Sequence, residues 1–162
     1  MSSVRSQEPL LPSVLDRLLD DAPDVSTEPA WRVAQDLREF RLGVLRDVEN
    51  LLNTRRPVSR LPDGLPELQQ SILAYGLPDF TSAGVGSTEE RDQLRRAVQT
   101  AIQRFEPRLR EVRVAIHPPH SPHDRTFRLT VDALLMVAPQ PQPIVFDTVV
   151  QPSSGTCKVE AK

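Results

Sequence analysis

Apolar residues recur along this chain in two different periods. From about residue 27 to residue 53, Val33, Leu37, Phe40, Val44, Val48 and Leu51 follow one another at steps of three and four, with Arg32, Asp36, Arg41, Asp47 and Glu49 largely on the other faces. That spacing predicts a long amphipathic helix. Ser26 or Thr27 can cap it, Pro29 suits its first turn, Asn53 can close it and Pro57 forbids continuation. Gly43 in its middle implies close packing there. A second long helix is predicted from Ser87 to Phe105. Ser87 with Glu90 three residues on forms a capping box, and Leu94, Ala97, Val98, Ala101, Ile102 and Phe105 share one face.

Short helices are predicted on either side of the first long one. Val14, Leu15, Leu18 and Leu19 form an apolar stripe behind Ser13, too short at roughly two turns to be stable without docking on something. It docks either on its own domain or on a partner. Between the long helices, Pro66 starts a short helix with Leu68, Ile72 and Tyr75 facing inward, and Gly76 stops it in a left-handed cap.

After Pro107 the period changes to two. Val112, Val114 and Ile116 alternate with Arg113 and Ala115, and Phe127, Leu129 and Val131 alternate with Arg128, Thr130 and Asp132. In "PIVFDTVVQP" (143–152) both faces are mostly apolar, apart from Asp147. About three antiparallel strands are expected. Helices first and strands last predict an α+β domain, two long helices plus short helices packed on a small antiparallel C-terminal sheet. The expected organisation is a flexible arm with a short amphipathic helix over 1–26, one α+β domain over 27–151 and a flexible tail over 152–162.

Composition narrows the function classes. The 162 residues suffice for one domain with a real core. A net charge of −2 and only 4% aromatic residues argue against a nucleic-acid surface. No apolar run reaches the roughly 18 residues a membrane span needs, and the N-terminal stretch lacks a signal-peptide core. The one cysteine, Cys157, is expected in the polar tail, so neither a disulfide framework nor a thiolate metal site is expected. A cytoplasmic protein without cofactor or membrane insertion is the expectation.

Three constellations bear on chemistry. His117, His120 and His123 share one side of a polyproline-type segment, a possible metal face, although a solvated hairpin loop also accounts for them. Arg55, Arg56 and Arg60 form a small basic patch that complements the helix end or meets an acidic partner. At Glu106-Pro107-Arg108 the helix gives way to a strand. Glu106 could act as a general acid with Asp124, Asp132 or Asp147 as the second carboxylate. Alternatively, Glu106 and Arg108, on one side of an extended segment, pair with each other or clamp charges of another chain.

The segments "LLNTRR", "SILAYGLPD" and "RFEPRLREVRV", in this order and behind "PSVLDRLLDD", resemble wedge subunits of the TssE type in type VI secretion baseplates. These are part of the lysozyme-like wedge family of contractile phage tail baseplates. The resemblance runs from about Leu11 to Val150. It implies a non-enzymatic cytoplasmic subunit at a baseplate on the inner face of the cell envelope. Such a subunit joins the wedge subunits TssF and TssG and primes polymerisation of the contractile sheath, TssB and TssC, alongside other baseplate and tube components. Glu106, Pro107 and Arg108 match the family's docking motif, and Arg55, Arg56, Tyr75, Leu15, Leu18 and Leu19 are the further candidate partner-binding residues. Sheath priming by strand sharing would use a sheet edge, expected at residues 126–137 or 144–150. The alternatives are a peptidoglycan-cleaving muramidase using Glu106, or the equivalent wedge protein of a phage tail or other contractile injection particle.

Overall fold

The structure, a computed structural model, describes residues 13–18, 24, 37–57, 61–62, 64–79, 87–117, 126–137, 140–151 and 156–161. Ser26, Thr27, Pro29, Trp31, Val33, Leu19, Arg60, His120, His123 and Asp124 lie outside them. The elements are α1 (Val14–Leu18), α2 (Leu37–Asn53), α3 (Pro66–Gln70), a 3-10 turn (Ile72–Ala74), α4 (Thr88–Phe105), β1 (Leu109–His117), β2 (Phe127–Leu135), β3 (Gln142–Gln151) and β4 (Thr156–Ala161). The expected α+β architecture is present, with the four strands in one antiparallel sheet of order β1-β2-β3-β4.

The two helical periods bury the faces they predicted. Phe40, Val44, Val48 and Leu51 of α2 share one core with Leu94, Val98, Ala101 and Ile102 of α4 and with Leu129, Val131 and Phe146 of the sheet. Gly43 is buried, as its mid-helix position implied. The capping box forms: Glu90 N–H donates to Ser87 Oγ at 3.1 Å, and Ser87 N–H donates to a Glu90 carboxylate oxygen at 3.0 Å.

Four expectations are corrected. There are four strands, because residues 156–161, assigned to the tail, pair with β3 from Gln151↔Thr156 to Phe146↔Ala161. Cys157 is therefore a core residue, 5% exposed. Its side of β4 alternates with exposed Lys158 and Glu160 in the manner of a half-buried strand. The strands at 126–137 and 144–150 offer no edge, since β2 and β3 each pair on both sides; the edges are β1 and β4. Ile72 faces outward, 82% exposed. Ser71 is the cause: its Oγ donates to Leu68 O and accepts from Leu73 N–H, ending α3 and restarting the chain as a 3-10 turn. The break shifts the helical phase, so Ala74 is buried in place of Ile72.

Gly76 has a second reason beyond its positive φ of 95°. Leu77 N–H donates to Thr54 O at 2.9 Å, and Arg56 N–H donates to Leu77 O at 2.8 Å. This clasp draws the chain after the 3-10 turn against the end of α2, and a Cβ on Gly76 would stand 2.3 Å from Thr54 O.

Candidate functional site

The α4–β1 corner is built by Pro107. Proline at 107 disfavours helix at Glu106, whose φ and ψ of −121° and 79° turn the chain out of α4. Leu109 N–H then bonds back to Glu106 O at 3.1 Å, and Met136 N–H bonds to Arg108 O at 2.8 Å, starting the sheet. A bulge follows between Arg110 and Arg113, with Glu111 at a positive φ of 53°. The extra residue puts Leu109 and Val112 on the same, buried face despite their odd spacing.

Glu106 is 4% exposed, and both its carboxylate oxygens are engaged. Arg108 Nε donates to Oε1 at 2.6 Å, and a terminal guanidinium nitrogen donates to Oε2 at 2.5 Å. The same terminal nitrogen donates to Asp47 Oδ2 at 2.6 Å, reaching α2 across 61 residues of sequence. The guanidinium carbon lies 5.7 Å from the centre of the Phe40 ring. Burial works against the charge on Arg108, but hydrogen bonds to Glu106 and Asp47 outweigh it and raise its pKa above the ordinary arginine value. Glu106 and Arg108 therefore meet charges of their own chain. The triad ties α2 to the α4–β1 corner.

A groove of about 540 Å³ opens beside this triad. Leu51, Tyr75, Phe105 and Pro107 give it apolar walls, Asp47, Asn50, Glu106 and Arg108 give it polar ones, and Ser13, Val14 and Leu15 reach it from α1. The Tyr75 and Phe105 rings pack edge to face at 5.2 Å. Burial, with the nearby Asp47 and Glu106 carboxylates, pushes the Tyr75 phenol above its usual pKa.

The candidate residues thus separate into two places. Glu106, Pro107, Arg108, Tyr75 and Leu15 gather at the groove. Val14 and Leu18 of α1 remain about three-quarters exposed, at 74% and 75%. Arg55 and Arg56 sit past the end of α2: Arg55 is 3.9 Å from Asp79, and burial, then Arg104, lowers the Arg56 pKa. Phe40, Phe105 and Asp47 read in the sequence only as helix-face residues and not as part of a site, and Asn50 did not stand out at all. Asp47 lies on the flank of the α2 apolar stripe, and no local spacing links it to Arg108.

Of the three carboxylates proposed as partners of Glu106 in hydrolysis, Asp124 lies outside the described residues and the other two are remote from it. Asp132 and Asp147 belong to the sheet face opposite the helices, where Thr130 donates to Asp147 at 2.8 Å. His117 Nε2 is 3.0 Å from Thr130 Oγ1. Among the described residues, no group of three or more His, Cys, Asp or Glu side chains is placed to hold a metal ion. Among them, too, no helix is long and apolar enough to cross a membrane.

Comparison with known proteins fits this architecture. A chain from a structure titled "The baseplate complex from the type VI secretion system" is similar in fold, with a TM-score of 0.50 and 21% identity. The match covers 70% of this chain and 96% of that one. No curated protein matches. The family described as baseplate wedge protein gp25 matches residues 38–140, a span that runs from α2 through the triad to β2. The chain belongs to the baseplate wedge protein gp25 family, and its role is that of a structural part of a baseplate.

Proposed function

We propose that the chain is the TssE-type wedge subunit of a type VI secretion baseplate, joining TssF and TssG and priming polymerisation of the TssB–TssC sheath. Membership of the wedge family carries this reading, because the matched span includes the whole Glu106-Pro107-Arg108 corner. The fold likeness to a chain of a type VI baseplate complex favours secretion over a phage tail. On this reading the protein is cytoplasmic and works at a baseplate on the inner face of the envelope.

The groove beside the triad is the docking surface for the wedge. Its apolar walls at Leu51, Tyr75 and Phe105, edged by Asp47 and Asn50, suit one face of an amphipathic partner helix. Val14 and Leu15 line the groove from α1, and Leu18, further along α1, is exposed. Arg55 and Arg56 add cationic surface at the end of α2. The Glu-Pro-Arg motif acts by fixing the wall of this groove.

The chain is not an enzyme on this reading. A carboxylate with both oxygens held by one guanidinium is a structural counter-ion and aims no proton at a substrate. Co-expression with TssF and TssG followed by size-exclusion chromatography tests the assembly role. A stable complex that is lost on Tyr75→Glu is expected; the three proteins eluting apart would refute it. Release of muropeptides from peptidoglycan, abolished by Glu106→Gln, would establish the muramidase instead.

A further inference from the structure

Several arginines near the helix ends stand beside carboxylates. Arg108 is held by Glu106 and Asp47, Arg95 and Arg96 each lie 2.7 Å from Asp92, and Arg55 is 3.9 Å from Asp79. Arg56 and Arg104 stand beside each other instead. Arg56 follows the end of α2, fixed there by its N–H bond to Leu77 O at 2.8 Å. Arg104 is the last residue but one of α4. Burial lowers the Arg56 pKa, and the adjacent charge of Arg104 lowers it further.

Among the described residues, no carboxylate pairs with either of them. Arg104 donates to the neutral amide oxygen of Gln69 on α3, at 3.4 Å. The Arg56 Nε–H is buried and has no acceptor. Two like charges side by side, one with a buried donor unmet, destabilise the free chain. A carboxylate placed between them relieves both defects, because it accepts from two guanidiniums at once. The pair also adjoins the groove: Phe105, the residue after Arg104, forms the groove wall with Tyr75.

We infer that Arg56 and Arg104 together receive one carboxylate of the wedge partner, an Asp or Glu side chain beside the helix that fills the groove. Charge complementarity selects an acidic position on that partner, and the two guanidiniums fix its register. The inference rests on the wedge-subunit reading and adds to it a second contact and its chemistry.

Affinity for a purified TssF–TssG complex, measured beside thermal unfolding of the free chain, tests this. Arg104→Gln is expected to weaken binding about tenfold or more, with the difference shrinking as salt rises. The free variant is expected to melt no lower than the wild type, because a repulsion is removed. Arg96→Gln, the same change about two turns earlier on α4, leaves affinity unchanged. In Arg104→Lys the charge stays, and a carbodiimide is expected to join the new amine to an Asp or Glu of TssF or TssG. Wild-type affinity in Arg104→Gln overturns the inference, as does a crosslink from position 104 to this chain's own carboxylates alone. A clear fall in the melting temperature of Arg104→Gln makes the pair structural and overturns it too. A wild-type chain that does not bind TssF–TssG defeats the wedge-subunit reading itself, and the inference with it.

Discussion

Arg108 and Asp47 meet at 2.6 Å across 61 residues of sequence, while the same guanidinium closes on buried Glu106. One side chain therefore joins the first long helix to the corner where helices end and the sheet begins. The Glu106-Pro107-Arg108 corner is a structural joint with a groove beside it.

Removal of Arg108 leaves Glu106 as a buried carboxylate without its counter-charge. Arg108→Ala is expected to cost about 3–5 kcal/mol in urea unfolding. Asp47→Asn, at a position one-fifth exposed that keeps an oxygen acceptor, is expected to cost about 1 kcal/mol or less. A loss below about 1 kcal/mol for Arg108→Ala would show that the corner does not depend on the triad. The same measurement decides whether an assembly defect in a Glu106 or Arg108 variant reflects docking or folding.

Two glycines separate backbone strain from collision. Gly64 and Gly76 both have positive φ, 87° and 95°. A Cβ on Gly64 meets nothing within 4 Å, whereas one on Gly76 meets Thr54 O at 2.3 Å. Gly64→Ala is expected to cost about 1–2 kcal/mol, the left-handed penalty alone. Gly76→Ala is expected to cost clearly more, because relief requires opening the Thr54–Leu77–Arg56 clasp. Equal melting temperatures for the two variants would contradict the clasp.

Asn53 holds both backbone groups of Cys157 on the β4 edge. Asn53→Ala is expected to destabilise by about 1–3 kcal/mol and to speed amide exchange in Thr156–Ala161. Unchanged exchange there would mean that pairing with β3 alone fixes β4.

Burial, helped by Glu49, pushes the Cys157 thiol up to about 11, against an ordinary value of 9.0. A raised folded value means that the neutral thiol's contribution is full below pH 9 and is lost as pH rises through about 11. The gap corresponds to about 2–3 kcal/mol. Unfolding free energy should therefore fall more steeply between about pH 9 and 11 in the wild type than in Cys157→Ala. A thiol reagent at pH 8 should label Cys157 only after denaturation, given about 5% exposure. Rapid labelling of the folded chain would show β4 to be open.

What the sequence made legible was what local rules control. Helical spacing set the buried faces of α2 and α4, Ser87 and Glu90 set the start of α4, and Pro107 set the corner. What it hid depended on distant contacts or on short signals. Asp47 reads as a surface residue until Arg108 reaches it from the α4–β1 corner. The β4 alternation spans only six residues, too few to stand out beside the prolines and serines before it. Ile72 kept a helical spacing that one hydroxyl, Ser71, was enough to interrupt. Asn53, read as a helix terminator, does end α2, but its side chain also closes the sheet.

On the proposed reading, the chain must stand in the baseplate before the sheath can grow. Imaging of a fluorescent sheath protein in cells deleted for the chain, and in the same cells with it restored, tests this most directly. No extended sheaths are expected in the deleted cells, and their return is expected with the restored chain. Extended sheaths in equal number without the chain would contradict it.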